Sequence, residues 1–472
     1  MIFANIAQIS TMDNLYIFML IAITVLAAID IIVGVSNDAI NFLNSAIGSK
    51  AISVRTIMIV ASLGIFVGAV YSSGLMEVAR KGIFVPAMFN FNEIMCIFMA
   101  VMITDILLLD FFNTLGLPTS TTVSIVFNLL GAAVIMSLIK IGTSDTQTFA
   151  DLGSYINTKK ALQIIRGIVM SVFIAFTVGA IVQWVSRLIF TFQTENKIKN
   201  FGAIFGAVAL TAITYFIFLK GLKGTPYYKD LKGSIEGNEM YIIGASFALW
   251  LIVSYVFQAL TKKTILLVVI AVGTFGLALA FSGNDLVNFI GVPMAAYHSY
   301  EAWVASGVDA TLFSMEVLDK KVPAEPLLLF ISGGIMVVTL WFSKKAKTVA
   351  ETEISLSRQN ETHEKFQPNF ISRGIVKGAT QLSNYFSIIV PKPIQEKIEK
   401  SFQTPEIVLT KDQSVDAPAF DLIRASVNLM VAGILIAIAT TMKLPLSTTY
   451  VTFMVAMGTS FADRAWGRES AV

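Results

Sequence analysis

Charged side chains are scarce in this 472-residue sequence. Asp, Glu, Lys and Arg make up 14% of it, against about 25% in ordinary soluble domains. A soluble protein of this length could bury a large core but would still have to cover its surface with polar groups, and too few are present. With 55% of residues hydrophobic and a mean hydropathy of +0.74, a soluble globular enzyme is excluded and the chain must be surrounded by lipid. The net charge is only +3, and the basic residues are scattered between apolar runs, so no nucleic-acid-binding face is present. The one cysteine, Cys96, cannot form an internal disulfide, and its apolar run predicts a buried, inert thiol. Only two histidines occur, His298 and His363, and neither HExxH nor GxSxG is found. The common hydrolase chemistries therefore lack their parts. No catalytic residue and no organic cofactor is expected.

What the sequence has in abundance is apolar runs of about 20 residues, the length needed to cross a bilayer as a helix. Eleven windows qualify: 15–35, 52–73, 93–114, 121–140, 165–192, 201–220, 240–260, 264–281, 327–342, 417–442 and 448–462. The first is not preceded by Lys or Arg and is read as a retained helix, not a cleavable leader. The expectation is an all-α, multi-pass protein of the cell membrane with about eleven spans. The one long polar stretch, 343–416, mixes acidic and basic residues and reads as a solvated, cytoplasmic loop with some amphipathic helix.

The polar residues inside the apolar runs repeat. Ser36–Phe42 reads S-N-D-A-I-N-F and Gly283–Phe289 reads G-N-D-L-V-N-F, both containing N-D-x-x-N-F. Leu117–Thr122 reads L-P-T-S-T-T and Leu444–Thr449 reads L-P-L-S-T-T. The motifs come in the same order, with two apolar windows between them each time, which indicates an internal duplication. The first copy of N-D-x-x-N ends the first window and the second ends the eighth. Seven steps is an odd number, so the copies are expected in opposite orientations across the bilayer, the inverted-repeat plan of many secondary transporters with broken helices at the midplane. The division that follows is a first repeat over 1–200, connecting spans over 201–263, the first part of a second repeat over 264–342, the polar loop 343–416, and the remainder of the second repeat over 417–472. The second copy has no counterpart of window 165–192 after its P-x-S-T-T, so the expectation is a truncated second repeat.

The chemistry of these motifs is specific. Asn and Asp at membrane depth need partners, water or ions. Asn37 with Asn41, and Asn284 with Asn288, stand four apart and share helix faces. With Asp38 and Asp285 they offer hard oxygen ligands for a small cation and amide donors for an oxyanion. Pro followed by Ser and Thr opens and caps a helix. A helix beginning inside the membrane presents free N–H groups and about half a positive charge. Ser120, Thr121 and Thr122, with Ser447, Thr448 and Thr449, would add neutral donors, so two such ends could hold a tetrahedral oxyanion without Lys or Arg. Moving an anion into a negative interior costs about 2.3 kcal/mol per charge per 100 mV, so uptake requires co-moving cations. Asp38, Asn41, Asp285 and Asn288 are the candidate sodium ligands, with protons on the aspartates as the other choice. Glu77, beside Arg80, and Asp105, an acid within a span, are further site candidates. Asp110 is expected to reach water, and His298 to be structural.

These residues resemble the inorganic phosphate transporter (PiT) family, whose paired signatures read approximately G-A-N-D-V-A-N-A with a following G-S-[KR], and P-V-S-T-T-H. Ser36–Asn41 with Gly48, Ser49 and Lys50, Gly283–Asn288, Pro118–Thr122 and Pro445–Thr449 carry the likeness, and the run around Glu77, Arg80, Lys81 and Gly82 is similar to the family's E-x-x-x-K-G-I. The resemblance implies a secondary transporter taking up inorganic phosphate with sodium, or in some members with protons or as a metal-phosphate complex. It implies that the aspartates, asparagines and hydroxyls of both signature pairs line the anion and cation sites, and that the protein forms a homodimer. Val123 and Tyr450 replace the histidine that often follows S-T-T, which removes a proton carrier and favours sodium. The expected function is cation-coupled phosphate import by alternating access. A sulfate permease on the same fold and an ion channel are the competing readings.

Overall fold

In hydrocarbon no water is available to the backbone, so a crossing segment must satisfy every N–H and C=O internally, and the helix does this within one segment. The computed structural model follows this rule. It describes residues 2–71, 82–192, 195–220, 233, 235, 237–319, 326–358, 370, 373–374, 377–378, 380–381, 391–403, 417–442 and 446–464. Among these the long elements are all helices: α1 (Ile2–Asp38), α2 (Ile40–Gly48), α3 (Val54–Tyr71), α4 (Phe91–Leu115), α5 (Thr121–Gly142), α6 (Thr158–Phe190), α7 (Glu195–Ile213), α8 (Glu239–Thr261), α9 (Leu266–Ser306), α10 (Pro326–Phe342), α11 (Lys344–Leu356), α12 (Leu422–Thr441) and α13 (Thr448–Ala462). Extended pairing among the described residues is limited to two isolated bridges, Phe84 with Ile156 and Asn90 with Ser314.

Each of the eleven apolar windows falls on helix. Eight helices are long and apolar enough to cross a membrane among the described residues, or nine if α10 and α11, bent by 69° at their junction, form one span. Their outward faces are apolar, with Phe18, Leu107, Phe111, Phe173 and Ile252 among the exposed side chains, as a lipid-facing surface requires.

Several sequence expectations need correction. Cys96 lies on the exposed face of α4, not in the core, because the run around it is apolar towards lipid as well as inward. The window 264–281 is the start of a 41-residue helix, α9, which runs unbroken through the second N-D-x-x-N and past Pro293. The first part of the polar stretch is helical, with one face buried against the bundle. Ser343 accepts from Ala346 N at 3.2 Å and starts α11, whose Val349, Ala350 and Glu353 are buried. Asn44 Nδ2 donates to Glu353 Oε1 at 2.7 Å, fastening α11 to α2.

Small residues let the backbones close where helices cross. A Cβ on Gly64 or Gly68 of α3 would come within 2.4 Å of the carbonyl oxygens of Phe275 and Leu279 on α9. These two contacts press α3 onto the helix that carries Asp285. On the other side, Gln183 and Arg187 of α6 meet Asp463 at the end of α13. Arg187 Nε and Nη2 reach the two Asp463 oxygens at 3.0 and 2.7 Å, and Nη1 reaches Asp421 Oδ2 at 2.6 Å. Asp421 caps α12 by accepting from Arg424 N at 2.9 Å. A single buried arginine thus ties the start of α12, the end of α13 and α6 together.

Candidate substrate site

Four chain segments far apart in sequence meet around two carboxylates. Asp38 stands at the end of α1, where Ala39 marks a one-residue interruption before α2, and Asp285 stands inside α9. Both are fully buried. Facing them are the first turns of α5 and α13. Helix α4 ends at Gly116, whose φ of 65° suits a residue without a Cβ. The chain then runs extended to Ser120, whose side chain accepts from Val123 N at 3.1 Å and starts α5. Ser447 does the same for α13, accepting from Tyr450 N at 3.0 Å. The first helical bonds are donated by Ser124 and Val451. The amides of Thr121, Thr122, Thr448 and Thr449 therefore stand ahead of the helical ladder, at the positive ends of the two helices.

The threonines link the two copies in a reciprocal pattern. Thr121 Oγ1 donates to Asp38 Oδ2 at 2.8 Å, and Thr448 Oγ1 donates to Asp285 Oδ2 at 2.5 Å, each within its own copy. Thr122 Oγ1 donates to Asp285 Oδ1 at 3.0 Å, and Thr449 Oγ1 donates to Asp38 Oδ1 at 2.8 Å, each across to the other copy. The asparagines complete the exchange: Asn288 Nδ2 reaches Thr122 Oγ1 at 2.9 Å and Asn41 Nδ2 reaches Thr449 Oγ1 at 3.0 Å. Each carboxylate thus receives one hydroxyl from each half of the chain.

Other sequence candidates are placed differently. The Asn37 side chain turns to the segment leading into α5. It donates to Asn113 Oδ1 at 2.7 Å and Leu117 O at 3.0 Å and accepts from Thr119 N at 2.7 Å. It sets the approach of α5 rather than joining the ring. Asn284 Nδ2 lies 3.3 Å from Asp285 Oδ1. Ser120 and Ser447 serve as helix caps. Asp105 is buried next to the ring but not in it, receiving hydrogen bonds from Ser124 Oγ and, at 2.8 Å, from Asn128 Nδ2. Glu77, and Leu444 and Pro445 of the second L-P-x-S-T-T, lie outside the described residues. Asp110 pairs with Lys345 at 2.5 Å on the exposed surface, and His298 with Glu301 at 3.2 Å.

Two residues at the site escaped the motif reading. Thr452 Oγ1 donates to Asn41 Oδ1 at 3.2 Å; it stands one turn beyond Thr448 on the same face of α13, a spacing that could have found it. Asp30 is fully buried in α1, and an acid inside the first apolar window was a signal by itself.

Known proteins resemble this chain over most of its length. The phosphate transporter family matches residues 34–357. A protein of Pyrococcus horikoshii named as a candidate phosphate permease is 25% identical over 333 residues, covering 68% of this chain and 75% of its own. One of Pyrococcus furiosus with the same designation is 24% identical over 342 residues, 68% of this chain and 74% of its own. A solved structure, that of a protein named the sodium-dependent phosphate transporter, shares the fold with a TM-score of 0.59 at 19% identity, covering 94% of this chain and 90% of that one. With the family match spanning both N-D-x-x-N copies and well over half its length, the chain belongs to the phosphate transporter family, a family of multi-pass membrane proteins and not of enzymes.

Proposed function

We propose that the chain is a symporter that imports inorganic phosphate together with sodium by alternating access, its two halves forming an inverted pair around the threonine–aspartate ring. The observation that carries this reading is that four threonine hydroxyls are all engaged by the two carboxylates. A hydroxyl has one proton to donate. While it donates to Asp38 or Asp285 it cannot donate to an oxyanion, and an anion brought beside two bare carboxylates would be repelled. A cation on each carboxylate removes both obstacles. It takes over the charge compensation and lets Thr121, Thr122, Thr448 and Thr449 turn their protons to phosphate, next to the free amides of the two helix ends. Cation and anion binding are then mutually dependent, which is the requirement for coupling.

Sodium suits the ligand set better than a metal that prefers nitrogen or sulfur, because carboxylate, carboxamide and hydroxyl oxygens are hard ligands. The structural neighbour is named for its dependence on sodium, which supports the same choice here. The reading is tested by labelled phosphate uptake into proteoliposomes under an inward sodium gradient. The expected result is saturable uptake that collapses when potassium replaces sodium and that excess phosphate, but not excess sulfate, competes away. Strong competition by sulfate would move the protein to the sulfate reading. Uptake that ignores the sodium gradient and does not saturate would make it a channel.

A further inference from the structure

Beside the ring lies a polar cluster that the proposed symport does not use. Asp30 and Asp105 are buried to 0% and 1% exposure. Helices α1 and α4 pack together, and the two carboxyls are neighbours across that contact. Asp105 Oδ1 takes both hydrogen bonds that secure this residue, from Ser124 and from Asn128. Asp30 has no such support: among the described residues no N–H or O–H donates a hydrogen bond to either of its buried oxygens. The charged groups that act on Asp30 are Asp105 and, two helical turns along α1, Asp38. Helix α9 brings Asp285, whose carboxyl is held in the ring, and its His298 is paired with Glu301. From α11, Lys345 is held by Asp110 and Glu353 by Asn44.

The duplication supplies a control within the same chain. In the register of the N-D-x-x-N motifs Leu277 stands where Asp30 does. In the register of the P-x-S-T-T motifs Ala432, Val451 and Val455 stand where Asp105, Ser124 and Asn128 do. All four are buried and apolar. The corresponding positions are therefore filled by apolar side chains in the second half, and the packing does not require polar groups there.

Two neighbouring carboxylates without a donor or a cation repel each other and leave acceptor lone pairs unmatched, a costly state in the interior. One proton between them removes a charge and supplies the donor that Asp30 lacks, while Ser124 and Asn128 keep Asp105 as the accepting partner. We propose that Asp30 and Asp105 bind a single proton between them, a protonation site beside the transport ring that only the first half of the chain has the residues to build. The site goes beyond the symport reading and does not depend on it.

Infrared spectroscopy of the full chain in lipid, in sodium-free and phosphate-free buffer, tests the proposal. The wild-type spectrum minus that of Asp30→Asn should contain the C=O stretch of one protonated carboxyl, and so should the wild type minus Asp105→Asn. The exposed variant Asp110→Asn should give no such difference. Should either buried variant fail to fold, replacement by the second-half residues, Asp30→Leu with Asp105→Ala, Ser124→Val and Asn128→Val, carries the same expectation in a packing the fold already uses once. A band of full intensity in the buried variants overturns the proposal. So does an Asp30-dependent band that disappears when sodium is added at constant pH, which would assign the pair to a metal cation. Because no phosphate is present, a negative result leaves the symport reading standing, and a failure of sodium-driven uptake leaves the proton site standing.

Discussion

The two halves of this chain agree at the ring and differ on either side of it. At the ring the exchange is reciprocal down to the atom: one threonine to its own aspartate, the next threonine to the other copy's aspartate. Away from it each half carries a buried polar cluster where the other is apolar. The first has Asp30, Asp105, Ser124 and Asn128 against Leu277, Ala432, Val451 and Val455. The second has Asp421, Arg424, Thr459 and Asp463, to which the first half lends Arg187, where the first has Ile94, Ile97, Ala132 and Met136. A substrate site that opens alternately to two sides, as proposed for the ring, needs equivalent ligands from both halves. The flanking positions have no such constraint, so one side can be used to hold a proton and the other to clamp helix ends.

The largest effect that could break this comparison comes from the aspartates. Asp38→Asn and Asp285→Asn each remove a charge that a sodium ion would balance and turn an acceptor of two hydroxyls into a group with only one acceptor oxygen. Sodium-driven phosphate uptake should fall to background in both, while the purified proteins remain monodisperse in detergent. If one variant transports normally and the other does not, the ring is symmetric in geometry but not in function, and a single cation site carries the coupling.

Next in size is the clamp. Arg187 is fully buried and satisfies two carboxylates at once, so Arg187→Ala leaves uncompensated charge inside the bundle. Breaking a buried pair in this way costs about 3–5 kcal/mol. Thermal unfolding in detergent should show the loss, and the protein that remains folded should still bind phosphate, because Arg187 does not touch the ring. Intact stability would mean that apolar packing and the hydrogen bonds of Arg424 and Asn428 with Thr459 hold α12 and α13 without the clamp.

These clusters also mark what could be read in the sequence. The helices were legible because a crossing segment must be both apolar and long, and both properties are visible in a window of residues. The ring was legible because its residues sit in duplicated motifs: Asp38, Asn41, Asp285, Asn288 and the four threonines were all named from the pattern. The role of Asn37 was not, since its partner Asn113 lies outside every motif, and its bonds to Leu117 and Thr119 of the first L-P-x-S-T-T are tertiary contacts about 80 positions away that no spacing reveals. Asp30 and the Arg187 clamp were missed for the opposite reason. Asp30 has no counterpart in the second half and the clamp joins Arg187 of the first half to carboxylates of the second, and a search for repeats passes over residues that do not repeat. The continuation of α9 through its second motif was hidden because polar residues on one face of a long helix look, in sequence, like the end of an apolar run.

The smallest effect gives the sharpest test of the symmetry. Thr122→Val and Thr449→Val each remove a hydroxyl that crosses between halves, while preserving side-chain shape. A hydrogen bond to a charged group contributes about 1.5–3 kcal/mol, so each variant should raise the half-saturating sodium and phosphate concentrations by roughly ten- to a hundredfold. Reciprocal geometry requires the two effects to match within about twofold, the usual scatter of independent sites. Thr122 serves Asp285 and Asn288, whereas Thr449 serves Asp38 and Asn41, so the two have no partner in common. The double variant should therefore show the product of the single effects. A smaller combined effect would mean that the two carboxylates act through one shared ion, and the ring would then be one site seen from two sides rather than two sites related by the duplication.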